Sequence, residues 1–411
     1  MMLEVKTIDA NANDQFVLAC KYAHYQKTSM YAQFLQFTSK ATIEYLGFYD
    51  QQQLKATAMV LIKRWLGVFS YAYIPSGVCV DYSDATLVEQ THQALAQLAL
   101  VRAWFLLRID PNVQRKEKDI KGNDIKGGFN NEWVTSTLEN LNYQHKGYGY
   151  GYDGSWRDRF TLILDLNPPL EQLINNFARD KRNFYRRQLK MGITTVVDQE
   201  QGVEYLAKFE KQLTKEHGFK PKPVSYFKKL CEFYGEHAHV FITSMSQQYN
   251  IDLLNHELET GKYNKDEKAK QSKLETLEQL KQSLEKHGDT IVLSVGMFVD
   301  YGHSAWDLYS YKNPDFLSYR GTIHMHVSAM EYFKNRNITH YDFVGFSGAT
   351  HHEDPYYGLY HFKSGFNPTY VEYIGQFDLK NNETLTNLFI KVSTLKVRIR
   401  RKLNALRYTK D

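Results

Sequence analysis

Near its end the chain places one lysine among residues suited to a ligand-contacting loop. Tyr341-Asp342-Phe343-Val344-Gly345 reads as a buried strand that opens through Ser347-Gly348 and Gly358-Leu359 into Phe362-Lys363-Ser364-Gly365-Phe366. Glycines let the backbone approach a ligand, and a lysine between Phe362 and Phe366 is partly desolvated, so its charge acts strongly on an arriving anion. The plainer alternative is a surface lysine on a loop between two strands. Asp342 interrupts an apolar strand pattern, which favours a hydrogen-bonded structural carboxylate over a base. Asp110, in Arg108-Ile109-Asp110-Pro111, stands at another strand end. There an acid can orient or deprotonate a nucleophile, or simply cap a turn before proline.

A third candidate is the basic helix through Arg179, Lys181, Arg182, Arg186 and Arg187 to Lys190. It suits RNA phosphates, or a solvated helix face. The histidines give no metal site: His324 and His326 face apart on a predicted helix, and His351-His352-Glu353-Asp354 lacks ligand spacing elsewhere. No Ser-His-Asp arrangement, Walker loop or GxGxxG fingerprint is visible, so a covalent acyl-enzyme is not expected.

The elements that must position these residues alternate between strands and helices. Residues 43–80 read as strands, 84–101 as a helix behind Ser83 or Asp84, and Trp104 to Ile109 as a strand again. A second unit begins near Asp158. It has strand Phe160 to Leu166, a helix start at Pro168-Pro169, strands at Val240 to Thr243, Ile291 to Val299 and Ala305 to Tyr311, then a helix marked by Ile323, Val327 and Met330 before strand His340 to Phe346. Between two of these strands, Ile251, Leu254 and Leu258 form one apolar stripe, and Leu274, Leu277, Leu280 and Leu284 form another that ends at Gly288. They predict an antiparallel helical hairpin over 245–288 whose arms, at about 20 residues, reach roughly 30 Å. Its lysine-rich tip is explained equally by solvation and by RNA contact. The C-terminal segment sets Leu385, Leu388, Val392, Leu395, Ile399 and Leu406 on one face, with Lys396, Arg398, Arg400, Arg401, Lys402, Arg407 and Lys410 around the rest. Such a helix docks on the first unit or lies on an anionic membrane.

At 411 residues and 43% hydrophobic content, two domains are expected. Fifty-one Lys and Arg against 46 Asp and Glu leave +5, too little for a general polyanion binder. Three scattered cysteines argue against a disulfide framework and for a reducing compartment. The N-terminus lacks a secretory apolar region and no run reaches 18 apolar residues, which predicts cytoplasmic residence with peripheral contact at the inner membrane face left open.

Five tags in order, Tyr73-Ile74-Pro75-Ser76-Gly77-Val78, Leu107-Arg108-Ile109-Asp110-Pro111, Phe160 to Leu166, Gly218-Phe219 with Tyr226-Phe227, and the Tyr-Asp-Phe-Val-Gly to Phe-Lys block, resemble the Fem family. These transferases use aminoacyl-tRNA to build the peptidoglycan cross-bridge. The resemblance implies an α/β fold of two acetyltransferase-like (GNAT-like) domains, 1–155 with 376–411 and 156–244 with 289–375, plus the 245–288 arm. It implies no cofactor beyond aminoacyl-tRNA as co-substrate, and an acceptor that is lipid II or the soluble UDP-MurNAc-pentapeptide. Lys363 and Phe362 match the family's Phe-Lys motif, Lys363 acting on the ester or the tRNA end, with Asp110 orienting or deprotonating the amine. Lys40, after Gln33, and Lys222, where the family commonly has Arg, followed by Tyr226, match its precursor-binding positions. Lysine at 222 keeps the charge without the bidentate fork. The acceptor amine is the difficulty, since a lysine-type pKa near 10.4 leaves only about one molecule in 2,500 neutral at pH 7, a deficit of about 4.6 kcal/mol. Two rivals stand beside this reading. One is an acyl-CoA-dependent N-acyltransferase, whose usual phosphate turn is matched only poorly by Tyr319-Arg320-Gly321-Thr322. The other is a non-catalytic RNA- or membrane-binding adaptor.

Overall fold

The computed structural model describes residues 3–151, 158–217 and 220–408, the side chains of 214–217 and 400–408 excepted. Gly218-Phe219 and the side chains of Arg400, Arg401, Lys402, Leu406, Arg407 and Lys410 lie outside the described set. Two seven-stranded mixed sheets carry the fold. The first joins β1 (Glu4–Ile8), β2 (Thr42–Asp50), β3 (Gln53–Trp65), β4 (Phe69–Ile74), β5 (Leu106–Ile109) and β6 (Tyr143–His145) with β14 (Phe377–Leu379), which enters between β5 and β6. The second runs β13-β7-β12-β11-β10-β9-β8 and comprises β7 (Phe160–Asp165), β8 (Thr194–Val197), β9 (Ala238–Ser246), β10 (Thr290–Tyr301), β11 (Ser304–Lys312), β12 (His340–Asp342) and β13 (Thr369–Glu372).

Each sheet contains one parallel pair, β4 with β5 and β11 with β12. Parallel neighbours need a crossover, which α3 (Ala85–Val101) and α11 (Gly321–Asn335) supply. Asp84 caps α3, its side chain accepting from Leu87 N at 2.9 Å, and the helix buries Val88, Leu95 and Ala99 with Val134 and Leu138 of α4 (Glu132–Asn140) against the first sheet.

The second sheet is covered on both faces. Leu173 of α5 (Leu170–Asn176), Phe177 and the buried side of α11 pack on one. On the other lie Leu206 of α7 (Gln199–His217) and Phe227 of α8 (Val224–Tyr234), joined by Val17 of α1 (Ala10–Ala19), Tyr25 and Cys79. The N-terminal segment therefore helps build the second sheet's core. The loops between the sheets converge on Glu372, which is 2% exposed and meets Arg159 at 2.5 Å, Arg115 at 3.0 Å and Lys118 at 3.1 Å.

The predicted hairpin forms between β9 and β10. Helices α9 (Gln247–Glu259) and α10 (Glu267–His287) bury Ile251, Leu254, Leu277 and Leu280 against one another, while Leu274 is exposed. At 13 residues α9 spans about 20 Å, so the paired length is shorter than expected even though the 21 residues of α10 span about 30 Å. Lys262 at the tip is bonded to Glu257.

Helix α13 (Glu383–Tyr408) docks through Leu385, Phe389, Ile390 and Val392 onto Trp65, Tyr71 and Phe105. The predicted stripe is corrected here, because Leu388, Leu395 and Ile399 are exposed and Phe389 takes the central place. No described helix is long and apolar enough to cross a membrane.

Candidate active site

The two parallel strands of the second sheet pair for only three residues, from Ser304↔His340 to Trp306↔Asp342. Beyond that point they part. The predicted strand to Phe346 stops at Asp342 because its Oδ1 accepts from Val344 N at 2.7 Å and from Thr161 Oγ1, turning the chain into a left-handed residue at Val344 (φ 57°). Gly345 follows where a Cβ would come within 1.7 Å of Asp158 Oδ2. Released from the ladder, the carbonyls of Val344 and Gly345 accept instead from Lys363 Nζ, at 2.9 and 3.0 Å. Lys363 lies not on a loop but on α12 (Tyr357–Ser364), and it is 7% exposed. Burial lowers its pKa, opposed by the charges of Asp307, Asp342 and Asp158.

Lys363 also lines a cavity of about 460 Å³, together with Phe362, Asp307, Ser310, Tyr311 and His326, among others. Asp307 is the acid of this cavity. Burial pushes its pKa to about 6, with Asp342 adding to the rise and the Ser310 hydroxyl and Lys363 opposing it. Ser310 Oγ donates to Asp307 Oδ1 at 2.5 Å, and His326 Nε2 stands 3.9 Å from Oδ2. Burial, assisted by Lys363 and Lys181, lowers the His326 pKa to about 3, so the imidazole is neutral. A desolvated ammonium and a carboxylate that gives up its proton near pH 6 thus share one enclosed space. The first can stabilise an oxyanion and the second can take a proton.

The expected aromatic flank of Lys363 belongs to another lysine. Phe362 and Phe366 lie beneath Lys181 Nζ, 4.1 and 5.0 Å from the two ring centroids. Lys181 is on α6 (Arg179–Lys190), and at 3% exposure it is not part of a solvated basic face. Arg179, Arg186 and Arg187 are exposed; Arg182 is half-buried and bonds the carbonyl of Asn175.

Asp110 is buried at the end of β5. Its Oδ2 accepts from Tyr73 OH at 2.6 Å and its Oδ1 from Ser76 N at 2.7 Å. Pro111 packs so closely on Gly77 (φ 70°) that a Cβ there would lie 2.7 Å from Pro111 Cα. Lys222 is ion-paired to Glu210 at 2.7 Å, with Nζ 5.0 Å from the Tyr309 ring and 5.7 Å from that of Tyr226. Tyr226 OH and Tyr309 OH are 2.8 Å apart. Helix α2 (Ser29–Ser39) ends at Lys40, exposed and left-handed (φ 53°), and α2 packs on α8 through Phe34 and Tyr226. A cleft of about 1,090 Å³ runs from Asn112 and Gln114, just past Asp110, to Trp306 and Asp342 on the second sheet.

Residues 8–391 match the FemAB family model. The chain belongs to the FemAB family. The lipid II:glycine glycyltransferase of Staphylococcus aureus (strain COL) is 27% identical over 382 residues, 85% of this chain and 88% of its own length. The protein of the same description from strain MRSA252 gives the same values. A solved structure described as the crystal structure of FemX aligns at a TM-score of 0.77 and 22% identity, over 94% of this chain and 99% of that one. The fold is the expected α/β architecture, two mixed sheets with helices on their faces, and it is shared with that FemX structure.

Within this FemAB chain, Lys363 and Phe362 line one cavity, while Asp110 belongs to a turn of the first sheet and Lys222, Tyr226 and the α2 helix of Lys40 to a third region. Sequence reasoning missed Asp307, reading Ala305 to Tyr311 only as a strand. The available signal was an acid inside that alternating run, between Trp306 and Leu308. Among the described residues no group of three or more His, Cys, Asp or Glu converges to hold a metal. His324 is bonded to Thr195 and His326 to Tyr341, at 2.8 and 2.6 Å.

Proposed function

We propose that this FemAB chain is an aminoacyltransferase that moves an aminoacyl group from aminoacyl-tRNA to the lysine-type side-chain amine of the peptidoglycan stem peptide, building the interpeptide bridge. The relatives' description supports lipid II as acceptor and makes glycine the first amino acid to test. The observation that carries the reading is Lys363, a buried cation held by two main-chain carbonyls at the mouth of the strand gap.

The ester carbonyl of the donor sits in the Lys363 cavity and the amine attacks it. A C–N bond forms, the C–O bond to the terminal ribose breaks, and the ribose oxygen leaves with a proton. Lys363 stabilises the oxyanion, charge that exists only in the transition state. Asp307 receives the proton that the ammonium must shed before attack, since its carboxyl is ionised above about pH 6. Asp110 acts through the 73–77 turn as a positioning residue. Lys40 and Lys222 are candidate cations for the precursor diphosphate. Lys222 must exchange Glu210 for phosphate to serve. The exposed arginines of α6 and the exposed Leu395, Val397 and Ile399 of α13, interleaved with Lys396 and Arg398, support contacts with tRNA and with an anionic membrane surface respectively.

The test is purified protein with a pool of labelled aminoacyl-tRNAs and either lipid II or UDP-MurNAc-pentapeptide. Label on lipid II is expected. Lys363→Ala, checked for folding, is expected to lose at least about 100-fold in transfer. Equal rates in the folded variant remove Lys363 from the chemistry, and no transfer to either acceptor returns the acyl-CoA and adaptor readings.

A further inference from the structure

Lys181 is a buried cation that the proposed chemistry does not use. Its side chain is 3% exposed, and among the described residues its Nζ has no hydrogen-bond acceptor and no ion-pair partner within reach. The Phe362 and Phe366 ring faces support it, with the charge of Asp180 acting from farther off. Gly365 makes the alley for its stem, since a Cβ there would lie 2.5 Å from Lys181 Cε. Desolvating an ammonium without an acceptor is costly, and it lowers this one to about 8. A surface lysine would avoid the cost by turning outward.

The ammonium faces a second cavity, of about 230 Å³, whose wall is the start of α11. Arg320, Gly321 and Thr322 line it together with Lys312. Arg320 is left-handed (φ 49°), no side chain caps α11, and no acid stands in its first turn. Ile323 N donates to Arg320 O at 2.9 Å, and the amides of Gly321 and Thr322 at the start of the helix present its partial positive charge to whatever occupies this space. Asp180 Oδ2 is 3.8 Å from Arg320 Nη1. This cavity shares Phe362, Lys312, Leu317 and Thr322 with that of Lys363. A ligand can therefore lie continuously from one lysine to the other.

We infer that Lys181 and the N-terminus of α11 form the receptor for a phosphate of the acyl donor, the phosphodiester next to its aminoacylated end. The inference rests on the aminoacyl-transfer reading. The turn before α11 lacks the glycines that would wrap a pyrophosphate in amides, and a single desolvated ammonium takes their place. Phe362 separates the phosphate from the reacting carbonyl, which fixes how far the donor enters.

The test is equilibrium binding of cytidylyl-adenosine, adenosine and coenzyme A to the full chain and to Lys181→Met, whose side chain keeps the alley filled. The wild type is expected to bind cytidylyl-adenosine at least about 10-fold tighter than adenosine, with a salt dependence of about one phosphate contact. Lys181→Met removes that difference while binding adenosine as before, and with an aminoacylated dinucleotide it raises KM with little change in kcat. Wild-type binding that ignores the phosphodiester, or a folded variant that keeps the preference, overturns the inference. Lys181-dependent binding of coenzyme A alone overturns the donor assignment. The salt dependence needs no variant, and absence of transfer with intact tRNA fails the enzymatic reading without altering the binding comparison.

Discussion

Replacing Asp307 by Asn is expected to make the protein more stable at neutral pH and much less active. The carboxyl's folded-state pKa is raised from the ordinary 3.8 to about 6, chiefly by burial. A carboxyl that holds its proton more tightly when folded costs nothing well below the unfolded value of 3.8, where both states are protonated. As pH rises through this window the unfolded chain ionises first, and native stability falls until the folded carboxyl ionises near 6. The full penalty above pH 7 is about 3 kcal/mol, and roughly half of it is present at pH 5. Asn removes the charge and keeps a carbonyl to accept from Ser310, so Asp307→Asn recovers most of that energy. Urea unfolding of both proteins at pH 5 and 7.5 reads the difference between them, which cancels every other titrating group. The variant's advantage should grow by roughly 1–2 kcal/mol across that interval, while aminoacyl transfer at pH 7.5 falls by about 100-fold or more. A pH-independent difference, or a variant less stable at pH 7.5, would refute the buried-carboxylate argument. Full activity in the folded variant would refute the proton-accepting role.

Two further substitutions probe the scaffold. Glu372 is pushed up by burial, but bonds from Arg159, Arg115 and Lys118 outweigh this and hold its pKa below the ordinary carboxylate value. Its stabilisation is therefore present above about pH 4.5 and lost as pH falls below it, and Glu372→Gln should cost roughly 3 kcal/mol at neutral pH by stranding cations, measured by denaturant unfolding. Asp110→Asn leaves Ser76 N or Tyr73 OH without its acceptor and should cost about 1–3 kcal/mol with a raised acceptor KM. A fall in kcat at unchanged Tm would instead return Asp110 to acid–base work.

The helices and strands of this FemAB chain were legible because their apolar spacing is strict. Asp84 begins α3 as its position before Leu87, Thr91 and Leu95 requires, and the Ile251 and Leu277 stripes meet in the hairpin. What failed were inferences about where a side chain points. Lys181 looked solvated beside Arg179 and Arg182, yet one turn of α6 directs it inward onto Phe362. Lys363 looked like a loop residue because Gly358 and Gly365 flank it, yet the eight residues Tyr357–Ser364 close into a helix that takes in Gly358. Lys222 reads as a candidate phosphate cation between two prolines, and the structure pairs it with Glu210, twelve residues earlier on α7. The partners of Lys181 and Lys222 lie on other elements, which periodicity does not encode.

The two sheets explain why the chemistry is expected at Lys363 and not at Asp110. Both contain a parallel pair that ends in an aspartate, Ile74↔Ile109 before Asp110 and Trp306↔Asp342. In the first sheet the carboxylate reaches across to the neighbouring strand's turn, taking Ser76 N and Tyr73 OH, while Asn112 N bonds Ser76 O at 3.2 Å and Pro111 packs on Gly77. The acid closes the gap. In the second sheet the carboxylate accepts from Val344 N two residues ahead and from Thr161 of β7, and the pairing with β11 ends at Trp306↔Asp342. Past that point the carbonyls of Val344 and Gly345 accept from the Lys363 ammonium, which lines one cavity with Asp307. One aspartate seals a sheet and its counterpart opens one, and an opened parallel pair is where a buried cation and an ester can meet.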